Sequence, residues 1–182
     1  MSGISGPVSP PQPNIKPARR FWNRPVQIAA VVFIALLLRL WAAWQLPVDA
    51  DESVYVGAAS QYVQAFQQDG LSGIIDFTGN PEHPPLVKLL YAGVIWLTGS
   101  SSVFNSSLLA SRLVSVVFGV ASVALVALLD PLAGLLFAVH SMTVKYTSQA
   151  YLEALPQLAS LAALLLLLRS RRAADRNFWL AA

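Results

Sequence analysis

Three carboxylates within four residues, Asp49-Ala50-Asp51-Glu52, lie directly behind an apolar run long enough to cross a bilayer. At that spacing the charges repel one another unless a cation or a reaction occupies them, and a membrane surface leaves them solvated. A site at this depth meets a lipid-borne molecule from the bilayer and a polar one from water. That geometry points to chemistry on a lipid-linked molecule. Four further titratable side chains stand beside apolar segments later in the chain: His83, Lys88, Arg112 and Glu153.

The composition says what kind of scaffold positions them. Of 182 residues, 55% are hydrophobic and 12% charged, about half the charged fraction of a soluble domain. The chain reads as an all-α integral membrane protein. There is no cysteine, which excludes a disulfide framework, a thiolate metal site and a cysteine nucleophile. The net charge of +3 is no sign of nucleic-acid binding, because most basic residues form two clusters beside apolar runs, where they set orientation.

Residues 1–24 read as a cytoplasmic tail, rich in Pro, Ser and Gly up to Arg20 and so disordered. Lys16, Arg19, Arg20 and Arg24 precede the first span, 26–46, which is too long for a signal peptide and ends without a small-residue cleavage site. Trp41 and Trp44 suit the outer interface. Arg39 is either a snorkelling side chain or a contact inside the bundle. The next stretch, Asp51 to Gln68, predicts an amphipathic helix with Val54, Ala58, Tyr62 and Phe66 on its apolar side, Asp51 as its N-cap and Gly70 as its terminator. Pro84-Pro85 then open an apolar run, Leu86 to Leu97, that is too short to cross and is expected to lie at the interface or re-enter.

Three further spans are expected at 108–129, 132–147 and 154–168, with a break at Asp130-Pro131. Basic residues Arg169, Arg171, Arg172 and Arg176 follow, and 177–182 read as the start of a further, truncated span. Four crossings put both basic clusters in the cytoplasm. The outer loop 47–107, Arg112 and Glu153 then lie outside with the acidic cluster. Residues 25–176 form one transmembrane unit in this layout.

An ordered set of motifs emerges: the outer Asp51-Glu52, then Glu82-His83-Pro84-Pro85-Leu86, then Ser111-Arg112-Leu113, then the Tyr146–Glu153 stretch. In order and topology the set resembles the N-terminal part of polytopic GT-C-fold glycosyltransferases, with protein O-mannosyltransferases and bacterial lipid A aminoarabinose transferases nearest. The resemblance covers roughly 26–172. It implies inverting transfer of a sugar from a polyprenyl-phosphate donor to a lipid, glycan or protein acceptor on the outer face of the cell membrane. By motif match it makes Asp51 the catalytic carboxylate, with Glu52 beside it. His83, Lys88 and Arg112 are the cations for the donor phosphate, and Glu153 lines the site from the second outer loop. Relatives often carry Lys where His83 stands, and Lys88, one turn after Pro84, is a substitute. The resemblance implies no required cofactor. Asp49, Asp51 and Glu52 nevertheless offer hard oxygen ligands to a divalent metal, and the sequence leaves metal dependence open.

The rival expectation is a non-catalytic membrane protein, either an assembly factor or a degenerate fragment. A transporter would hold ionisable groups near mid-membrane, whereas here they gather at the interfaces.

Overall fold

The computed structural model describes residues 23–77, 81, 83–99 and 104–172, and all regular structure among them is helical. The tail before Asn23, Glu82, Arg176 and the segment 177–182 lie outside the described residues.

Among the described residues, helix α1 (Arg24–Gln45) and helix α4 (Phe104–Leu129) are the two helices long and apolar enough to cross a membrane. At 1.5 Å per residue they are about 33 and 39 Å long, against a hydrocarbon core of about 30 Å. They run antiparallel and are pinned at both ends. At one end Arg24 donates to the last carbonyls of α4, Leu128 at 2.8 Å and Leu129 at 3.0 Å. At the other, Arg112 near the start of α4 donates to Ala43, Leu46 and Pro47 at the close of α1.

Helix α2 (Ala50–Asp76) carries a correction. Its N-cap is Asp49, not Asp51: the Asp49 carboxylate caps the first turn while Glu52 reaches back to the Asp49 N–H, a reciprocal capping box. Gly70 ends the first helical segment, as expected, and a second short one follows directly across a kink. The Gly70 φ of +64° lies in the left-handed region that a glycine enters without a Cβ penalty, and six more helical residues follow. The expected stripe is buried at Ala58 and Tyr62, but the buried face is centred to one side of it. Glu52, Tyr55, Val56, Ala59, Tyr62 and Val63 are inside, and Val54 is exposed.

Helix α3 (Pro85–Thr98) matches the expected short apolar run, with Pro85 in its first turn and Gly99 closing it in the left-handed conformation. It packs on α2 and α4 around Val56, Tyr62, Val87, Tyr91 and Ile95, the larger of two apolar cores. The smaller core, Val31, Ala35, Val123, Ala127 and Ala138, joins α1 and α4 to α5 (Pro131–Val139).

The segment 132–147 is not one continuous helix. It divides into α5, only 9 residues, and α6 (Ser141–Tyr146). The cause is local: Asp130 caps α5 through the Ala133 N–H, and His140 leaves helical geometry so that its ring accepts from the Thr143 N–H. Each cap diverts the backbone bonds that a continuous helix would make. Helix α7 (Ala154–Arg172) then packs against α4.

Candidate functional site

The acidic cluster opens α2, and its three members have three different fates. A residue step on a helix turns the side chain about 100°, so Asp51 and Glu52 face apart. Glu52 is wholly buried and turned into the bundle. Its Oε1 accepts from Arg112 Nε at 2.8 Å and from the Ala150 N–H at 2.6 Å. Its Oε2 accepts from Arg112 Nη2 at 2.6 Å, the Asp49 N–H at 3.1 Å and Gln149 Nε2 at 3.2 Å. Five donors around one carboxylate fill its acceptor sites.

Arg112 is equally committed. A guanidinium has five N–H donors, and Arg112 uses them on the two Glu52 oxygens and on the carbonyls of Ala43, Leu46 and Pro47. The pair therefore joins α1, α2, α4 and the connection between α6 and α7. It provides neither an open base nor an open phosphate donor in this arrangement.

That connection, Thr147 to Tyr151, is buried without being helical, and buried backbone needs partners. Beyond the Ala150 bond to Glu52, the Tyr91 hydroxyl donates to the Tyr151 carbonyl. Gln149 Nε2 reaches the Pro47 carbonyl at 3.0 Å. Arg39 completes the set from α1. It does not snorkel: it is fully buried, donating through Nε to Thr147 Oγ1 at 2.8 Å and through Nη1 to the Ala138 carbonyl at 3.2 Å. Its Nη2 has no partner among the described residues. Gly119 of α4 makes room, since a Cβ there would run into Thr147 and the Arg39 guanidinium.

Asp51 stays exposed, as does Glu153 on the far side of the connection. Between them stands Tyr55, one turn after Asp51. Burial raises the Tyr55 hydroxyl above its ordinary pKa, and the charges of Asp51 and Glu153 raise it further. The same hydroxyl lies 3.4 Å from His83 Nε2, with the two rings edge to face. Lys88 Nζ donates to the His83 carbonyl at 2.9 Å, and burial lowers the pKa of this ammonium. Asp51, Tyr55, His83, Lys88 and Glu153 thus form a second polar group, separate from the Glu52–Arg112 knot.

His83 and Glu153 line a cavity of about 440 Å³ together with Val87, Leu152, Gln157 and Ser160. A larger recess of about 510 Å³ lies between the end of α1 and the start of α4, and its titratable side chain is Arg112. Because the Arg112 donors are engaged, the smaller of these two cavities is the one that presents a carboxylate and an imidazole.

Asp49 sits apart from both acids. The Tyr151 hydroxyl holds its carboxyl below the usual carboxylate range, helped by the Asp51 N–H and by Lys145, 3.5 Å away. The three acids therefore do not converge on a cation, and among the described residues no three His, Asp or Glu side chains are placed to hold a metal.

The sequence singled out Asp51, His83, Lys88 and Glu153, which share one region, and Glu52 and Arg112, which share another. It did not single out Tyr55, Gln157 or Gln149. Tyr55 was signalled by its i+4 spacing from Asp51. Gln157 was signalled as a polar residue near the start of an apolar helix. No protein-family model, curated protein or solved structure matches the chain.

Proposed function

We propose that the outer end of this bundle transfers a sugar from a polyprenyl-phosphate donor to a hydroxyl of a lipid, glycan or protein acceptor. The observation that carries this reading is the cavity of about 440 Å³ lined by Glu153 and His83, with the Tyr55 hydroxyl 3.4 Å from His83 and exposed Asp51 one turn before Tyr55. In the proposed step the acceptor oxygen attacks the anomeric carbon and its proton passes to the Asp51 carboxylate. The bond from that carbon to the phosphate oxygen breaks, and polyprenyl phosphate leaves with the bonding electrons. A single displacement inverts the anomeric centre. A positioned base supplies about 10²–10⁴-fold, and a leaving phosphate needs positive charge or donors opposite the base. His83, which lines the cavity, is assigned that part, and buried Lys88 supports it through the His83 carbonyl. Arg112 and Glu52 are assigned to holding the site.

The proposed topology has four crossings, at α1, α4, the α5–α6 segment and α7, with the N-terminus cytoplasmic. The two long apolar helices support a membrane location. For α5–α6 to cross, neighbouring helices have to satisfy the backbone groups freed at His140.

The test is incubation of the protein in membranes with labelled polyprenyl-phosphate sugars and extracted acceptors. Transfer that disappears in Asp51→Asn supports the reading, and transfer unchanged in that variant sinks the assigned base. A second reading, a non-catalytic membrane protein, is favoured by one observation: two members of the expected site, Glu52 and Arg112, are consumed by each other. Absence of both transfer and polyprenyl-phosphate binding in well-folded protein would decide for it.

A further inference from the structure

The two most exposed large apolar side chains among the described residues are Ile75, at 80%, and Leu97, at 75%. Neither belongs to α1 or α4, whose apolar faces a bilayer would cover. Ile75 lies in the short segment after the Gly70 kink, one turn beyond exposed Leu71, and Leu97 stands near the end of α3 beside exposed Trp96. One such side chain exposed alone is ordinary, whereas several gathered together mark a binding surface. Here they flank a single groove. Phe66 and Trp96 meet edge to face at 5.7 Å, and with Tyr62, Ile74, Leu89 and Gly93 they line an uncharged groove of about 180 Å³ between α2 and α3.

The segment after the kink is folded back and held there. A Cβ at Gly73 would run into the Ala65 carbonyl, Ile74 packs on the core, and the Phe77 ring sets its edge on Tyr62 at 4.5 Å. That leaves Leu71 and Ile75 outward. Helices α2 and α3 run side by side in the same direction, since Tyr55 meets His83 near their starts and Phe66 meets Trp96 further along. Their starts are tied to the end of α1 by Arg112, which donates to both Pro47 and Glu52. From Gly99 the chain has to reach Phe104, the first residue of α4, across no more than about 18 Å at 3.6 Å per residue. Both ends of the pair therefore stay near the level at which the long helices leave the bilayer.

The charge pattern selects the occupant. From Asp49 to Val87 the chain carries the carboxylates Asp49, Asp51, Glu52, Asp69, Asp76 and Glu82 and no Lys or Arg. An anionic ligand, or a lipid held by its phosphate, has no cation in this stretch to meet. The groove is also smaller than the roughly 300–1,000 Å³ of small-molecule sites. A slim hydrocarbon chain suits uncharged walls closed by an indole, the ring that favours the membrane interface. We propose that the far end of the α2–α3 pair docks on the bilayer: Leu71, Ile75, Trp96 and Leu97 enter the leaflet, and one phospholipid acyl chain lies in the groove along Gly93. The proposal takes a membrane location as its premise and stands whether or not the protein transfers a sugar.

Because the chain has no cysteine, single cysteines can report depth. The full chain with Ile75→Cys or Leu97→Cys is spin-labelled and placed, one copy per disc, in phosphatidylcholine nanodiscs. Both labels should be relaxed more by oxygen, which concentrates in lipid, than by a water-soluble nickel chelate. Exposed Gln61→Cys on α2 is the control and should show the reverse order. Phosphatidylcholine with a diazirine on one acyl chain should crosslink to the peptides holding Ile74 and Trp96, as well as to α1 and α4. Gly93→Phe fills the groove, and open space where a Cβ would stand lets the fold accept it. That variant should lose the crosslinks at Ile74 and Trp96 and keep those on α1 and α4. Greater access of the chelate than of oxygen at Ile75 and Leu97, no crosslink in the groove, or crosslinks unchanged by Gly93→Phe overturns the proposal. So does shielding from both agents that appears only when two chains share a disc, which makes a second copy the occupant. Sugar transfer enters none of these readouts, so its failure leaves the lipid surface standing.

Discussion

Asp51 and Glu52 are adjacent carboxylates in two regions that obey opposite rules. Around Glu52 every charge is met: a guanidinium, two backbone N–H groups and an amide surround it, and nothing of it reaches solvent. Around Asp51 the polar groups are gathered nearer the surface, with Tyr55 and His83 at 3.4 Å and both Asp51 and Glu153 exposed. The sealed region holds helices together, whereas the open one has acid and base groups a substrate can reach. An acidic cluster is therefore not one functional unit, and helical rotation alone divides it.

The strongest way to break this contrast is to cut the sealed pair. Glu52→Ala leaves Arg112 buried without its counter-charge and should cost about 3–5 kcal/mol, read as a lower midpoint of unfolding in detergent. The double variant Glu52→Leu with Arg112→Met should recover much of that loss, because an apolar replacement removes the desolvation penalty as well. Equal instability of the single and double variants would contradict the pairing.

Asp51→Asn should show the reverse profile. Transfer falls about 10²–10⁴-fold, while stability moves by no more than about 0.5 kcal/mol, checked by activity and unfolding on the same preparation. Gly119→Ala sharpens the account of the sealed side. It pushes into Thr147 and Arg39, an overpacking that should cost about 1–3 kcal/mol in the same unfolding measurement. Arg24→Gln removes a cation from the carbonyl end of α4, and a loss of about 0.3–1 kcal/mol should appear in low salt and shrink in high salt.

The smallest effect is expected at Asp49. Its carboxyl titrates below the ordinary value of 3.8 in the folded chain, chiefly through Tyr151. A lowered folded pKa contributes stability above the unfolded value that is lost as pH falls through the folded one. The stability difference between the native chain and Asp49→Asn should therefore be present at neutral pH and close below about pH 4. Unfolding midpoints across pH 3–7 check it.

The helices were largely legible in the sequence because length, apolar runs and prolines act locally. Pro84-Pro85 opened α3, and Asp130-Pro131 ended α4. The inward turn of Glu52 was legible in principle: Glu52, Val56, Ala59 and Val63 follow helical spacing, a better stripe than the one through exposed Val54. The split of 132–147 was hidden because His140 breaks the helix through a side-chain cap, not through a proline or glycine. Arg39 fitted two readings, since an arginine in an apolar run says nothing of whether Thr147 waits across the bundle. Pairings such as Glu52 with Ala150, 98 residues apart, have no local signature.

The buried connection from Thr147 to Tyr151 also sets an order of assembly. It borrows its hydrogen bonds from Arg39, Glu52 and Tyr91, which belong to three earlier helices. Those helices have to be docked before the connection has anything to bond to. The cavity wall at Glu153 and Gln157, which continues from that connection, therefore depends on α1, α2 and α3 being in place.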